Sequence, residues 1–280
     1  MYDSLTYEKN ILIRSEQVDM TRRLRMSDLF RLLEEASIAH TEQLGCTRDK
    51  TLDRGLLWII TRQLVEIGEM PAYDEEITVR SWQGDMQHVF FPRFYEIERE
   101  GRVIIRGQAL WMLMEEETRT MAMPEDYDIY IPGRPDAGDM MLPAVVIPET
   151  AGEAAAGEVL VTRFSQVDIN GHMNNTRYFD VIDDMLHSSD SVRSTDNADS
   201  NKHTSDCAGY DDPSVPADRA SAVQLCDNGK QARIPRKVLA NYLSELRLGD
   251  AFTLRQYKDA DTLWFEGAGD RPYFRIRYEY

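Results

Sequence analysis

The chain contains one arrangement of predicted elements twice, and this repetition is the strongest constraint on its fold. In each half a strand-like run ends in a Val-Asp pair, Val18-Asp19 or Val167-Asp168, and a long helix is predicted soon after it. The first helix is predicted at 27–44, with Ser27 as its cap, and the second at 175 to about 187. Apolar residues recur in both at the spacing of an amphipathic helix. The two halves therefore predict two copies of one structural unit.

Several strand-like runs, rich in β-branched and aromatic residues, follow each helix. Strands are predicted at 7–18, 56–67, 76–82, 89–98 and 102–114, and again at 158–167, 235–246, 251–258, 262–267 and 272–280. We therefore expect an α+β fold in which an antiparallel sheet wraps a long central helix in each half.

Composition marks the boundaries between these parts. Residues 136–157 are rich in Pro, Gly and Ala and predict a linker between an N-terminal half at 1–135 and a C-terminal half at 158–280. Residues at about 188–229 are dense in Ser, Asp and Asn and lack hydrophobic periodicity. Such a segment cannot bury enough apolar surface to offset its ordering, so we predict a disordered surface insertion.

Charge and composition exclude several classes of protein. A net charge of −17 argues against a nucleic-acid partner, which needs a basic surface. No apolar run is long enough for a membrane span, and the first residues contain no apolar signal core. Three cysteines without paired spacing favour a reducing, cytoplasmic location. The five histidines show no ligand spacing, so we expect neither a metal nor a cofactor.

The segment 168–175 carries the richest chemistry. It lies between a predicted strand and the start of the second helix, where unpaired N–H groups and the helix dipole favour a developing negative charge. Asp168 can orient or deprotonate a partner, Asn170 can position water or a carbonyl oxygen, and His172 titrates near neutral pH. Asp, Asn and Gly are also ordinary turn and cap residues, so this loop is equally consistent with a helix cap alone.

This segment resembles the active-site loop of the acyl-acyl carrier protein thioesterases of plants and bacteria. That loop has the pattern Asp-x-Asn-x-His-x-Asn-Asn, and the resemblance extends over nearly the whole chain except the insertion. The other landmarks that match are Ser81-Trp82, Arg93, Arg106, Ala109, Trp111-Met112, Thr118-Arg119, Pro124, residues 241–245 and Gly249-Asp250.

The resemblance implies a tandem, or double, hotdog fold with its catalytic residues in the C-terminal half. These residues are Asp168, Asn170, His172 and Glu245. Plant members of the family have a cysteine directly after the glutamate, and Leu246 stands there in this chain. A thiol nucleophile is therefore impossible at that position.

The N-terminal half has lost these residue types. Its loop has Thr21 and Arg23 at the places of the amide and the imidazole, and Glu66 looks like the counterpart of the catalytic glutamate. Arginine is not a general base at working pH. We therefore expect one active site per chain, with the first half as scaffold and acyl-chain pocket.

The implied reaction is hydrolysis of a fatty acyl-acyl carrier protein thioester. Glu245 and Asn170 would hold a water, and His172, oriented by Asp168, would activate it; direct attack by a carboxylate remains a second route. Alternatives are a coenzyme A thioesterase or a dehydratase of the same fold, or a non-catalytic acyl-binding or regulatory module.

The implied partner is an acyl carrier protein with a phosphopantetheine-linked acyl chain. Acyl carrier proteins are acidic, so docking requires a basic patch on this acidic chain, and the candidates are Arg22, Arg23, Arg25 and Arg31. The same arginines could equally be solvated. A homodimer stays open, because a fused repeat already mimics a dimer.

We predict that no cysteine is the nucleophile. Cys46 falls just after a predicted helix end, and Cys207 and Cys226 fall in the predicted insertion. A variant with all three changed to serine should keep most of the wild-type turnover. Near-complete loss of turnover in a variant whose circular dichroism is unchanged would contradict the water mechanism.

Overall fold

The computed structural model of the chain describes residues 5–138, 140, 142–155, 157–192 and 233–280. Of the predicted insertion, residues 188–192 belong to the second helix, while the remainder, with Cys207 and Cys226, lies outside the described residues. None of the described helices is both long and apolar enough to cross a membrane.

The described residues form two long helices and ten strands. The helices are α1 (Met26–Gln43) and α2 (Arg177–Val192). The strands are β1 (Thr6–Leu12), β2 (Leu56–Ile67), β3 (Glu76–Gln83), β4 (Phe91–Arg99), β5 (Arg102–Glu115), β6 (Glu158–Val161), β7 (Lys237–Tyr242), β8 (Ala251–Asp259), β9 (Thr262–Ala268) and β10 (Pro272–Glu279). The predicted α+β class is confirmed.

All ten strands join one antiparallel sheet in the order β1-β3-β4-β5-β2-β7-β10-β9-β8-β6. The order on one side of the β2–β7 pair mirrors the order on the other side. At that pair Leu64 lies opposite Leu239, and Val65 opposite Val238. The two halves therefore share a continuous sheet joined at its centre.

The helices bury their apolar faces. On α1 the side chains of Leu29, Phe30 and Leu33 are at most 1% exposed, as is Phe179 at the start of α2. The rings of Phe30 and Phe179 stack with centroids 3.9 Å apart. These phenylalanines occupy the same place after Asp19 and Asp168, so equivalent residues of the repeat meet in the core.

Several predicted boundaries were wrong. The strands predicted at 7–18 and 158–167 end at Leu12 and Val161, and a 3-10 turn follows each. The reason is local: the side-chain oxygen of a glutamine in each turn accepts the N–H three residues earlier and closes the turn. The first helix begins at Met26, with Arg25 as its cap residue, so Ser27 lies inside it and is buried.

The segment predicted as a linker packs against the sheet. Met140 and Leu142 are buried with Phe94 and Leu110, and Val145 contributes to a second buried cluster. The backbone N–H of Val145 donates to the side chain of Asn241 on β7. The Pro, Gly and Ala content of the segment predicts a free linker, but its few large apolar residues are buried and attach it to both halves.

We predict that the Phe30–Phe179 stack is a main source of stability. Phe30→Ala should lower the free energy of unfolding by about 3–5 kcal/mol, because it leaves a cavity in the core. Urea denaturation measures this value. The control is Val159→Ala at a side chain that is 70% exposed, and an equal effect in both variants would contradict the prediction.

Candidate active site

The loop before α2 is shaped by its own short side chains. One carboxylate oxygen of Asp168 accepts the backbone N–H of Asn170 at 2.8 Å, and the Asp168 N–H donates to the carbonyl of His172 at 2.9 Å. Gly171 has a φ of 78°, in the left-handed region that favours glycine. This tight turn places Asn170 at its tip and His172 at its base.

The histidine then pairs with a distant part of the chain. His172 forms an antiparallel bridge to Arg247, and the N–H of Met173 donates to the carbonyl of Leu246 at 2.7 Å. This pairing brings Glu245 beside the imidazole, with Nε2 of His172 2.9 Å from Oε2 of Glu245. Two of the predicted catalytic residues are therefore in direct contact.

The other predicted residues lie differently from expectation. The carboxylate that bonds the imidazole belongs to Glu245, whereas that of Asp168 accepts the Asn170 N–H. Glu245 follows β7, which ends at Tyr242, and so is not on the strand predicted at 235–246. Asp168 thus shapes the loop, and Glu245 is the group that orients the imidazole.

Arg119 belongs to the site, although the sequence alone did not place it there. The structure places its Nη1 3.0 Å from Oε1 of Glu245, so the carboxylate lies between Arg119 and His172. Arg119 had appeared only among the landmarks of the resemblance, and no local pattern marked it as a site residue. The half without the loop chemistry therefore supplies a charged group to the site.

The electrostatics of the site favour a neutral imidazole. Burial lowers the pKa of His172 from its ordinary value of 6.5, the Glu245 carboxylate raises it, and Arg119 lowers it again. The net direction is downward. In a neutral ring whose Nε2 donates to Glu245, Nδ1 carries the lone pair. The pair can therefore accept a proton at Nδ1 while the glutamate stabilises the imidazolium that forms.

A second carboxyl group of the site also escaped sequence reasoning. Glu34 on α1 bonds the side chain of Asn174 and lies near Asp168. Burial, with the Asp168 charge as the next cause, raises the pKa of Glu34 to about 7. No local pattern in the sequence marks Glu34, an acidic residue in the middle of α1, as a site residue.

The side-chain oxygen of Asn174 caps the start of α2. It accepts both the backbone N–H and the hydroxyl of Thr176, directly before α2. Asn174 therefore links the start of α2 to Glu34 on α1. The same side chain therefore caps a helix and belongs to a site that contacts both helices.

A cavity of about 280 Å³ opens beside this loop. Glu34, Asn170 and Ile169 line it at the site, and α1 forms one wall. Its apolar lining includes Leu56, Leu57, Trp58, Phe91, Trp111 and Ile131. This cavity thus lies mainly in the N-terminal half and reaches the loop of the C-terminal half.

The N-terminal loop has the same backbone with different side chains. Asp19 accepts the N–H of Thr21 at 2.7 Å and donates its own N–H to the carbonyl of Arg23 at 2.9 Å, as in the other loop. The N–H of Leu24 donates to Pro71. The two loops are therefore copies of one turn in which only the first lacks the amide and the imidazole.

This correspondence corrects one sequence assignment. Because Leu24 pairs with Pro71 as Met173 pairs with Leu246, the residue equivalent to Glu245 is Met70, which precedes Pro71. Glu66 instead lies within β2, more than half exposed, with its carboxylate 3.5 Å from Lys237. The identification of Glu66 as the counterpart was wrong, since similar local sequence does not fix structural equivalence.

The four arginines proposed for docking differ in exposure and in their ion pairs. Arg22 and Arg25 are exposed and Arg23 is partly buried, all in the N-terminal loop and directly before α1. Arg31 forms ion pairs with two acidic residues of its own helix. Docking at this patch stays a prediction.

Comparison with known protein families gives two consecutive matches. Residues 4–130 match the model described as the acyl-ACP thioesterase N-terminal domain, and residues 150–203 match the corresponding C-terminal domain. Together the two models cover most of the chain outside 204–280.

Curated relatives are distant. A chloroplastic acyl-[acyl-carrier-protein] hydrolase from Cuphea viscosissima is 23% identical over 190 residues, which are 63% of this chain and 46% of the relative. A dodecanoyl-[acyl-carrier-protein] hydrolase from Cinnamomum camphora is 26% identical over 200 residues, 64% of this chain and 50% of the relative. The chain spans about half the length of the curated relatives it matches.

Solved structures share the fold. An acyl-ACP thioesterase from Bacteroides thetaiotaomicron has a TM-score of 0.67 at 18% identity, over 98% of this chain and 97% of that one. A 12:0-ACP thioesterase from Umbellularia californica also has a TM-score of 0.67, at 16% identity over 100% and 98%.

The raised pKa of Glu34 predicts a pH-dependent stability. Between the ordinary value of 4.5 and about 7 the native state binds more protons at Glu34 than the unfolded state, so stability falls as pH rises through this range. Glu34→Gln removes the charge. Its free energy of unfolding relative to wild type should therefore increase by about 1–3 kcal/mol between about pH 5 and about pH 8.

The matched control is Glu35→Gln, at the next and exposed position of α1. Urea denaturation at both pH values measures each difference. A pH-independent difference for Glu34→Gln, or the same change for Glu35→Gln, would refute the assignment.

Proposed function

The chain belongs to the acyl-ACP thioesterase family, and from this premise we propose that it hydrolyses fatty acyl-acyl carrier protein thioesters and releases free fatty acids. One observation carries the proposal: His172, hydrogen-bonded to Glu245, lies in a loop whose tip, at Asn170, lines the cavity. A base beside an apolar cavity is the arrangement that hydrolysis of an acyl thioester requires.

Each half corresponds to one hotdog unit in this proposal, with the N-terminal unit at 1–135, the connection at 136–157 and the catalytic unit at 158–280. The mirrored strand order and the two equivalent turns before α1 and α2 support it. The N-terminal unit retains the turn and provides the acyl pocket.

Hydrolysis begins with a water held by Asn170 and the site pair. Nδ1 of His172 removes a proton as the water oxygen attacks the thioester carbonyl, and Glu245 stabilises the imidazolium. The tetrahedral intermediate collapses, the carbon–sulfur bond breaks, and the imidazolium returns the proton to the leaving thiolate. The products are a fatty acid and the free thiol of the carrier arm, which balances the added water.

The oxyanion of that intermediate needs donors. The side-chain amide of Asn170 and the N–H groups before α2 are the available ones, although Asn174 already accepts the N–H of Thr176. Asn170 is the stronger candidate because it lines the cavity. Its loss should therefore affect turnover more than substrate binding.

Contacts at Glu245 favour water over direct carboxylate attack. One of its oxygens faces Nε2 of His172 and the other faces Arg119. A nucleophilic carboxylate would have to give up one of these charge-assisted contacts in order to reach the carbonyl carbon. The geometry is better suited to a group that orients the imidazole.

The acyl chain occupies the cavity of the N-terminal half in this mechanism. Aromatic and aliphatic side chains line its wall, and Glu34 lines it together with Asn170 of the loop. The polar head, a phosphopantetheine arm, would stay outside. A coenzyme A thioester presents the same arm, so carrier and coenzyme A substrates must be compared directly.

We predict unequal effects of equivalent substitutions in the two halves. Asn170→Ala, His172→Ala and Glu245→Gln should each lower kcat by about 10²–10⁴-fold, since each removes an amide, a base or its partner. The matched controls are Thr21→Ala, Arg23→Ala and Met70→Ala at the equivalent positions. These should leave kcat nearly unchanged.

The measurement is release of free fatty acid from acyl carriers of varied chain length and from matched coenzyme A esters, with circular dichroism to verify folding. Activity unaffected by all three C-terminal substitutions would reduce the loop to a helix cap. Faster turnover of coenzyme A esters than of carrier esters would favour the alternative thioesterase.

A further inference from the structure

Arg119 lies in a turn that the structure fixes from several sides. Its backbone N–H donates to the carbonyl of Glu115 at 3.0 Å, and the N–H of Glu115 donates to Thr120 at 2.9 Å. The Glu115 side chain accepts hydrogen bonds from the hydroxyls of Thr118 and Tyr127. This turn at the end of β5 is therefore closed by side-chain contacts as well as backbone ones.

The backbone of Arg119 is unusual. Its φ of 57° lies in the left-handed region, which few non-glycine residues adopt. Such a conformation persists only where the surroundings determine it, and it concentrates at functional sites. In this conformation the side chain of Arg119 extends to Glu245 in the other half.

The contact made there is specific. Nη1 of Arg119 lies 3.0 Å from Oε1 of Glu245, while Oε2 of the same carboxylate lies 2.9 Å from Nε2 of His172. Two charge-assisted contacts on the two oxygens fix the rotation of the carboxylate. Without Arg119 the carboxylate keeps only its contact with Nε2 of His172 and can rotate about it, so the imidazole is no longer held in one orientation.

We propose that Arg119 is a positioning residue for the hydrolysis, holding Glu245 against His172 so that activity in the C-terminal half depends on a turn of the N-terminal half. The inference rests on the proposed function. Arg119 acts through Glu245 and is not assigned a contact with substrate.

A merely structural ion pair would behave differently. The side chains of Arg119 and Glu245 are 31% and 28% exposed, and ion pairs near solvent contribute little to global stability. Loss of Arg119 should therefore leave the unfolding midpoint nearly unchanged. Its effect should appear in kcat and in the titration of His172.

The charges around His172 give the direction of that titration. Glu245 and Asp168 raise its pKa, whereas Arg119 and Arg247 lower it, against a background of burial that also lowers it. Removing Arg119 therefore raises the pKa of His172. More of the base is then protonated near neutral pH, and the acidic limb of the rate profile moves to higher pH.

The experiment compares wild type, Arg119→Gln and Arg119→Lys in the full chain. Arg119→Gln should lower kcat by about 10²-fold with little change in KM, because the base is misaligned. Arg119→Lys keeps the charge and should recover part of the loss. The matched control is Arg106→Gln, which removes an exposed arginine of β5 paired with Glu96 at 3.3 Å.

The second measurement does not need catalysis. The imidazole of His172 is titrated by NMR, with its signal assigned from His172→Ala. Its pKa should rise in Arg119→Gln and stay close to wild type in Arg119→Lys and Arg106→Gln. These shifts test the charge contact even where no substrate is turned over.

The outcomes separate the two proposals. If wild type hydrolyses no acyl carrier or coenzyme A ester while the His172 shift is as expected, the proposed function fails and the positioning contact stands. If wild type is active and Arg119→Gln changes neither kcat nor the His172 pKa, the inference is overturned. It is also overturned if wild type is inactive and the pKa does not move, or if the variant loses activity only by unfolding.

Discussion

The pairing of β2 with β7 is the interaction on which the rest of the structure depends. Because Leu64 lies opposite Leu239 at this join, the two halves form one antiparallel sheet with a mirrored strand order. The same symmetry stacks Phe30 on Phe179 and brings α1 against the loop before α2. The loop before α2 is thereby completed by the helix of the other half.

The two halves share one turn but differ in the side chains that it carries. In both halves an aspartate accepts the backbone N–H two residues later and closes the turn that precedes a helix. Only the C-terminal turn has an amide and an imidazole, and the N-terminal half has Met70 at the position equivalent to Glu245. The N-terminal half kept the fold of the site and contributes a cavity, Glu34 and Arg119.

The site contains several carboxyl groups whose negative charges must be offset by nearby donors. The carboxylates of Glu245 and Asp168 act on the imidazole of His172, and the carboxyl group of Glu34 lies near Asp168, in a chain with a net charge of −17. Asp168 is satisfied by a backbone N–H and Glu245 by Arg119, whereas Glu34 relies on the Asn174 amide and has a raised pKa. The arginine and the backbone donor offset part of the repulsion between the carboxylates of Glu245 and Asp168.

The sequence by itself determined the elements whose causes are local. Apolar periodicity identified both helices, the repeat identified the duplicated plan, and the segment 168–172 was readable because an aspartate and a glycine close a turn within five residues. Glu245 required the resemblance to a family, since a single charged residue after a strand carries no local signal. Only the tertiary structure decided that Met70, rather than Glu66, is its counterpart, and that Arg119 and Glu34 belong to the site. The physical reason is that these contacts join residues far apart in sequence, so no periodicity or turn signal within one segment specifies them.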